Sequence, residues 1–132
     1  MTALEEDPRL RAVFARADVR LAVLFGSAAR GRLRPDSDLD IGILPEGEMT
    51  FERESDLAIE LERLLRREVD LVRLDLASTL LRFEASRGQR LYERRTGEFA
   101  AFASRALLEH DDLAPVLRRC AEGMFRALAK GA

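Results

Sequence analysis

Apolar residues recur along this chain with two different spacings, and the change between them predicts strands that alternate with helices. Short apolar runs typical of strands lie at 20–25, 38–44 and 69–72. A fourth segment, 90–93, predicts a short strand at an edge of the sheet. Residues 27–31 predict a helical turn between the first two strands.

Helices are predicted where apolar positions recur every three or four residues. Asp7 and Pro8 begin the first helix, because aspartate caps helices well and proline is tolerated at the first helical position. Phe51 is predicted to lie on the buried side of the second helix, and Cys120 on the buried side of the last. The other predicted helices cover roughly 51–66 after the cap Thr50, 76–87 before Gly88, Gly97 to about His110, and the chain from Asp112 and Pro115 onward.

The order of these elements predicts an α/β (α+β) fold, a small mixed sheet with helices packed on it and further helices at the C-terminus. The 132 residues suit a single domain, with a core of about 20–93 and C-terminal helices of about 97–130. A chain of this length buries enough apolar surface to fold without disulfides or a structural metal.

Composition narrows the classes of function. With 47% hydrophobic and 35% charged residues, the chain is typical of neither a disordered nor a membrane protein. A formal net charge of −2 argues against direct binding of nucleic acid, which usually needs a basic face. The N-terminus lacks the apolar segment of a signal peptide, and the single cysteine excludes an internal disulfide. We therefore expect a soluble, cytoplasmic protein that does not bind membranes.

Two aspartates interrupt the second predicted strand. The side chains of Asp38 and Asp40 point to the same face of a strand, with Cα atoms roughly 6.5–7 Å apart, while Leu39 and Ile41 point to the other. Two neighbouring carboxylates repel each other and are costly to desolvate, and a divalent cation relieves both costs. Oxygen ligands without histidine or cysteine favour Mg²⁺ or Mn²⁺ over zinc.

A third acid, Asp70, interrupts the strand predicted at 69–72. If this strand lies beside the second one, Asp70 meets the same metal centre. Three carboxylates around two ions about 3.5–4 Å apart form a two-metal site for attack at phosphorus. Asp75 follows this strand rather than lying within it, and is therefore a poorer third ligand.

Gly26 and Ser27 end the first predicted strand and begin a helical turn. Glycine lets a phosphate approach the backbone closely, and the N–H groups at the start of a helix bind anions. The Ser27 hydroxyl adds a donor, and Arg30 can balance the charge of a terminal phosphate. No Gly-Lys-Ser/Thr follows, so this is not a Walker A loop.

These residues together resemble a known signature. Gly26-Ser27, ten further residues, Asp38-Leu39-Asp40 and a strand-borne Asp70 resemble the polymerase-β-like nucleotidyltransferase superfamily. Within it, Gly-Ser-Ala-Ala-Arg-Gly at 26–31 and Ser-Asp-Leu-Asp-Ile at 37–41 resemble the minimal nucleotidyltransferase (MNT) family. That family includes the antitoxin halves of HEPN/MNT toxin–antitoxin pairs. The resemblance covers about 20–75.

The resemblance implies transfer of AMP from ATP to a hydroxyl, with release of pyrophosphate. Asp38 and Asp40 would bind two Mg²⁺ ions, with Mn²⁺ as an alternative. Asp70 would complete the catalytic metal site and help to deprotonate the attacking hydroxyl.

The resemblance also implies a phosphate site and a partner. Gly26 and Ser27 would hold the β- and γ-phosphates of the nucleoside triphosphate, and Arg30 would be a further contact. In MNT antitoxins the acceptor is a tyrosine of the HEPN toxin, a ribonuclease that AMP addition silences. Assembly with that toxin, or with further copies of the chain, is compatible with the sequence.

Other functions fit parts of the pattern. A small-molecule nucleotidyltransferase of the aminoglycoside-modifying kind usually carries a larger C-terminal domain for its acceptor. An antitoxin that acts by binding alone would not need three costly carboxylates in strands. Arg105 and His110 match the Arg-x4-His motif of HEPN nucleases superficially, but those domains are all-helical. Tyr92 is interpreted as a half-buried aromatic residue of the edge strand.

Overall fold

In a computed structural model, the chain folds as a four-stranded mixed sheet with two helices on each face. The structure describes residue 4 and residues 7–26 and 38–130; beyond residue 111, side chains are described only at positions 115, 119, 120, 122 and 123. The elements in chain order are α1 Pro8–Arg16, β1 Val19–Phe25, β2 Leu39–Pro45, α2 Phe51–Leu65, β3 Val69–Arg73, α3 Thr79–Ser86, β4 Gln89–Glu93 and α4 Glu98–Lys130.

The sheet has the strand order β3-β2-β1-β4, so the fourth strand does lie at an edge. β1 is antiparallel to β2 and to β4, whereas β2 and β3 are parallel. One end of the sheet therefore collects the last residues of β1 and the first residues of β2, β3 and β4. That end contains four of the predicted site residues, Gly26, Asp38, Asp40 and Asp70.

The two faces of the sheet bury different residues. On one face, Ile41 and its neighbours pack under α1 and α2 through Phe14 and Leu57. On the other face, Val23 and Phe25 pack under α3 and the first turns of α4, where Phe102 is buried. Along β1 from Leu21 onward, alternate residues serve alternate faces, as the period of two requires. The irregularity between Val19 and Leu21 interrupts this alternation at the start of β1.

Capping explains several helix boundaries. Asp7 accepts a hydrogen bond from the Arg9 N–H, and Thr50 accepts one from the Arg53 N–H, so both predicted caps are confirmed. α3 begins three residues later than predicted, because Ser78 caps it through the Leu81 N–H.

Three expectations are wrong. The two helices predicted after Gly97 form one continuous helix, α4, with Pro115 inside it. A proline inside a helix removes one backbone hydrogen bond and usually kinks or breaks the helix, which is why the sequence predicted a boundary there. Phe51 is 80% exposed because it lies in the first turn of α2, beyond the edge of the core. Cys120 is exposed on α4 rather than buried.

Tyr92 lies half-buried against Phe14, with ring centroids 5.8 Å apart. This confirms its interpretation as a half-buried aromatic residue of the edge strand. Within the described residues, no helix combines the length and the apolar character needed to cross a membrane.

Candidate active site

Two of the three predicted acids, Asp40 and Asp70, lie at one level of the sheet in neighbouring strands, and Asp38 immediately precedes β2. Asp40 is directly opposite Asp70 in the parallel pairing of β2 with β3, which confirms that these strands are adjacent. Asp40 is also opposite Phe25 in the antiparallel pairing of β1 with β2. Because Leu39 and Ile41 pack under α1 and α2, Asp38 and Asp40 belong to the opposite face, the one that α3 covers.

These acids influence one another electrically. Asp40 is half-buried, whereas Asp38 and Asp70 are exposed. Burial, and then the charges of Asp70 and Asp38, raise the pKa of Asp40 above its ordinary value. A carboxylate in this position is destabilised until a cation or a proton neutralises it.

None of the three acids has an arginine partner within the part of the chain that the structure describes. Asp75, by contrast, accepts two hydrogen bonds from the guanidinium of Arg73, at 2.9 and 2.7 Å, which lower the pKa of Asp75. The sequence preferred Asp70 to Asp75 as the third acid. The structure places Asp70 beside Asp40 and commits Asp75 to an ion pair elsewhere.

The acids are close to one another without converging on one point. Among the described residues, no group of three or more His, Cys, Asp or Glu side chains is arranged to hold a metal ion as it stands. A divalent cation would relieve the repulsion among these carboxylates. The donor set consists of carboxylate oxygens alone, which suits Mg²⁺ or Mn²⁺.

Gly26 follows β1 directly and lies against Asp40. Its φ of 73° belongs to the left-handed region, which glycine adopts without strain. A Cβ placed on Gly26 would overlap Oδ2 of Asp40 and lie 3.3 Å from Cγ. The close approach of backbone to carboxylate therefore requires glycine. Ser27 and Arg30, the other predicted phosphate contacts, lie outside the described residues, as does the turn predicted at 27–31.

Gly88 fixes the end of α3 beside this group. A Cβ placed on Gly88 would overlap the carbonyl oxygen of Leu24 and lie 3.0 Å from Cβ of Phe25. Arg87, the last residue before it, is exposed. The sequence analysis did not single out Arg87, because its place depends on the pairing of β4 with β1, which no local pattern indicates.

Comparison with known proteins adds independent information. The sequence profile of the family described as "Polymerase beta, Nucleotidyltransferase" matches residues 9–96. No curated protein sequence matches the chain.

Solved structures share the fold. A toxin–antitoxin structure with AMP-PNP has a TM-score of 0.74 at 24% identity, over 86% of this chain and 94% of the other. A tri-AMPylated HEPN toxin in complex with MNT antitoxin, from Shewanella oneidensis, gives a TM-score of 0.70 at 22% identity, over 92% and 96%.

A third structure is nearer in sequence. It is described as a minimal nucleotidyltransferase and is 36% identical, with a TM-score of 0.54, over 61% of this chain and 86% of the other. The chain therefore belongs to the polymerase β family of nucleotidyltransferases, and within it to the minimal nucleotidyltransferases.

Proposed function

We propose that this protein is a Mg²⁺-dependent antitoxin that transfers AMP from ATP to a tyrosine hydroxyl of a HEPN toxin. The observation that carries the proposal is the group Asp38, Asp40 and Asp70: Asp40 lies opposite Asp70 in adjacent strands, Asp38 immediately precedes β2, and none has an arginine partner among the described residues. Carboxylates in such a position are costly unless they bind cations. Structures of the same fold support the partner, since they include toxin–antitoxin complexes and an AMPylated HEPN toxin.

Asp38, Asp40 and Asp70 would hold two Mg²⁺ ions, with Mn²⁺ as an alternative. When bound, these ions would supply positive charge for the triphosphate and for the charge that develops during transfer. The raised pKa of Asp40 fits this role, because a divalent cation compensates for both burial and the two neighbouring charges.

The remaining residues would position the substrates. Gly26, which already adjoins Asp40, would bring the backbone close to the β- and γ-phosphates, with Ser27 and Arg30 as further contacts. Asp70 lies at the exposed edge of the group, in the edge strand β3, and would accept the proton of the incoming hydroxyl.

The tyrosine oxygen forms a bond to the α-phosphorus of ATP, while the bond from that phosphorus to the bridging oxygen of the β-phosphate breaks. The electron pair of the broken bond leaves with pyrophosphate. The hydroxyl proton passes to Asp70 and then to solvent. We place the reaction in the cytoplasm, where ATP is available, within a complex of this protein and its toxin.

The experiment is to mix the protein, ATP and Mg²⁺ with the protein that the adjacent gene encodes and to record the intact mass of that partner. We expect increments of one or more AMP units on the partner, mapped to tyrosine by fragmentation. The increments should disappear with Asp38→Asn plus Asp40→Asn and persist with Asp75→Asn, the matched control from the paired carboxylate.

Two outcomes would replace this proposal with another. Protection of cells by the double variant, undiminished, would favour neutralisation by contact alone. Release of pyrophosphate only on addition of an aminoglycoside-type acceptor, with no mass change on the HEPN protein, would favour a small-molecule nucleotidyltransferase.

A further inference from the structure

A cationic residue, Arg87, lies at the same end of the sheet as the three acids. Arg87 is the C-cap of α3, and its backbone N–H donates to the carbonyls of Ala85 and Glu84. The next residue, Gly88, packs against Leu24 and Phe25 with no space for a Cβ. The end of α3 is therefore held firmly on the last residues of β1.

The pairing of the strands defines where this end of α3 lies relative to the acids. Asp70, Asp40 and Phe25 form one row across β3, β2 and β1. Gln89 is opposite Leu24, so Gly88 continues the same row at the start of β4. Two strand spacings of about 4.8 Å separate the column of Asp40 from that of Gly88. A long side chain at Arg87 is thus within reach of the space beside Asp40, on the face that α3 covers.

The guanidinium of Arg87 lies against an aromatic ring. Its central carbon lies 5.9 Å from the ring centre of Phe83, one helical turn earlier. The Phe83 ring is itself stacked on His110 of α4, with centroids 3.8 Å apart. Contact with an aromatic face steadies a guanidinium and leaves its N–H groups available for phosphate oxygens.

Arg82, in the same helix, shows the alternative use of an arginine. Its Nη1 donates to the carbonyl of Leu74 at 3.0 Å, and its Nε lies 3.3 Å from a carboxylate oxygen of Glu109. Within the described residues, Arg87 has no carboxylate partner of this kind. One arginine of α3 therefore ties the helix to its neighbours, and the other is available to a ligand.

We propose that Arg87 is a further substrate-binding residue, which contacts the phosphates of the nucleoside triphosphate and holds pyrophosphate as it leaves. This inference rests on the proposed nucleotidyl transfer. A triphosphate beside three carboxylates requires positive charge from the protein as well as from the ions. The planar guanidinium can donate two parallel hydrogen bonds to phosphate, which the ammonium of a lysine cannot do in the same geometry.

The test compares Arg87→Ala, Arg87→Lys and the control Arg63→Ala, an exposed arginine of α2 on the other side of the sheet. Calorimetry would measure the binding of α,β-methylene-ATP and of AMP, each with Mg²⁺, and circular dichroism would measure Tm. We expect Arg87→Ala to weaken α,β-methylene-ATP binding roughly 10- to 100-fold, the factor for a lost charged hydrogen bond. AMP binding and Tm should stay unchanged, and Arg87→Lys should be intermediate.

The outcomes separate this inference from the proposed function. Equal α,β-methylene-ATP affinity in wild type and Arg87→Ala would overturn the role of Arg87 alone. An equal loss of affinity for AMP would also overturn it, because the contact would then not be to the β- and γ-phosphates. Failure of the wild-type protein to bind the nucleotide with Mg²⁺ would overturn both proposals.

Discussion

The two ends of the sheet contain the same kinds of residue and use them differently. At the acid end, formed by Gly26, Asp38, Asp40 and Asp70, no carboxylate has an arginine partner among the described residues. The opposite, paired end lies where β1 begins and the other three strands finish. Its carboxylates bind arginines: Asp18 with Arg53 and Arg94, Glu46 with Arg95, and Asp75 with Arg73.

The two ends also differ in the direction in which the pKa values of their carboxyl groups are shifted. Hydrogen bonds from Arg53 and Arg94 lower the pKa of Asp18, and Arg95 does the same for Glu46. At the acid end, burial and like charges raise the pKa of Asp40. The paired end is thus satisfied within the fold. The acid end is a costly arrangement that a bound cation would relieve, which is typical of functional sites.

The largest effect should come from removing charge at the acid end. Asp38→Asn with Asp40→Asn should reduce ATP-dependent pyrophosphate release by roughly 10³-fold or more, because the residues act as a unit. Asp75→Asn at the paired end should retain activity within a few-fold. Comparable losses in both variants would show that the two ends do not differ as described.

A second effect concerns the close approach of Gly26 to Asp40. Gly26→Ala forces alanine into a positive φ, which costs about 1–3 kcal/mol, and displaces the Asp40 carboxylate. Misplacement of such a group should lower kcat on the order of 100-fold. Gly47, near the paired end, has no atom within 4 Å of an added Cβ, so Gly47→Ala should change the free energy of unfolding by less than about 0.5 kcal/mol. Steady-state kinetics and chemical denaturation would check both variants.

The paired end should respond in stability instead. The side chain of Arg73 is only 13% exposed and also donates to the Met49 carbonyl. Arg73→Ala should lower the free energy of unfolding by about 1–3 kcal/mol and leave pyrophosphate release unchanged. Arg16, whose exposed ion pair with Glu60 is worth little, is the control. Denaturant titration at neutral pH would measure the free energy of unfolding of both variants. A larger loss in Arg16→Ala than in Arg73→Ala would contradict the account.

The smallest predicted effect is a gain in stability rather than a loss. A carboxyl group whose folded pKa is raised contributes stability below its unfolded pKa, and that contribution is lost as the pH rises through the folded pKa. Asp40→Asn, without divalent cations, should therefore raise Tm slightly at pH 7. The difference should shrink as the pH falls toward 3.8, the ordinary pKa. A lower Tm for Asp40→Asn at pH 7 would contradict the strained state of this carboxylate.

Much of the acid end could be predicted from sequence, because side chains alternate between the two faces of the sheet along the whole length of a strand. Alternation alone places Asp38 and Asp40 on one face, and an acid inside an apolar strand identifies Asp70. β1, β2 and β3 match their predicted spans closely, since glycine, proline and charged residues bound the apolar runs.

What the sequence could not provide depends on packing between distant elements. The helical periodicity predicted that Phe51 is buried. Such a pattern does not show where the end of a helix extends past the edge of the sheet. Pro115 predicted a boundary between two helices, but α4 continues through this residue. The place of Arg87 at this end of the sheet follows from the register between β1 and β4, which only the folded chain defines.

The most direct test of the account is a crystal structure with Mn²⁺ and α,β-methylene-ATP, in which anomalous scattering locates the metal. We expect Mn²⁺ in contact with Asp38, Asp40 and Asp70, drawn closer together than in the free protein, with the triphosphate against Gly26. Mn²⁺ and nucleotide bound away from these three carboxylates, or at the paired end, would contradict the central claim that the unpaired acids form the nucleotidyl-transfer site.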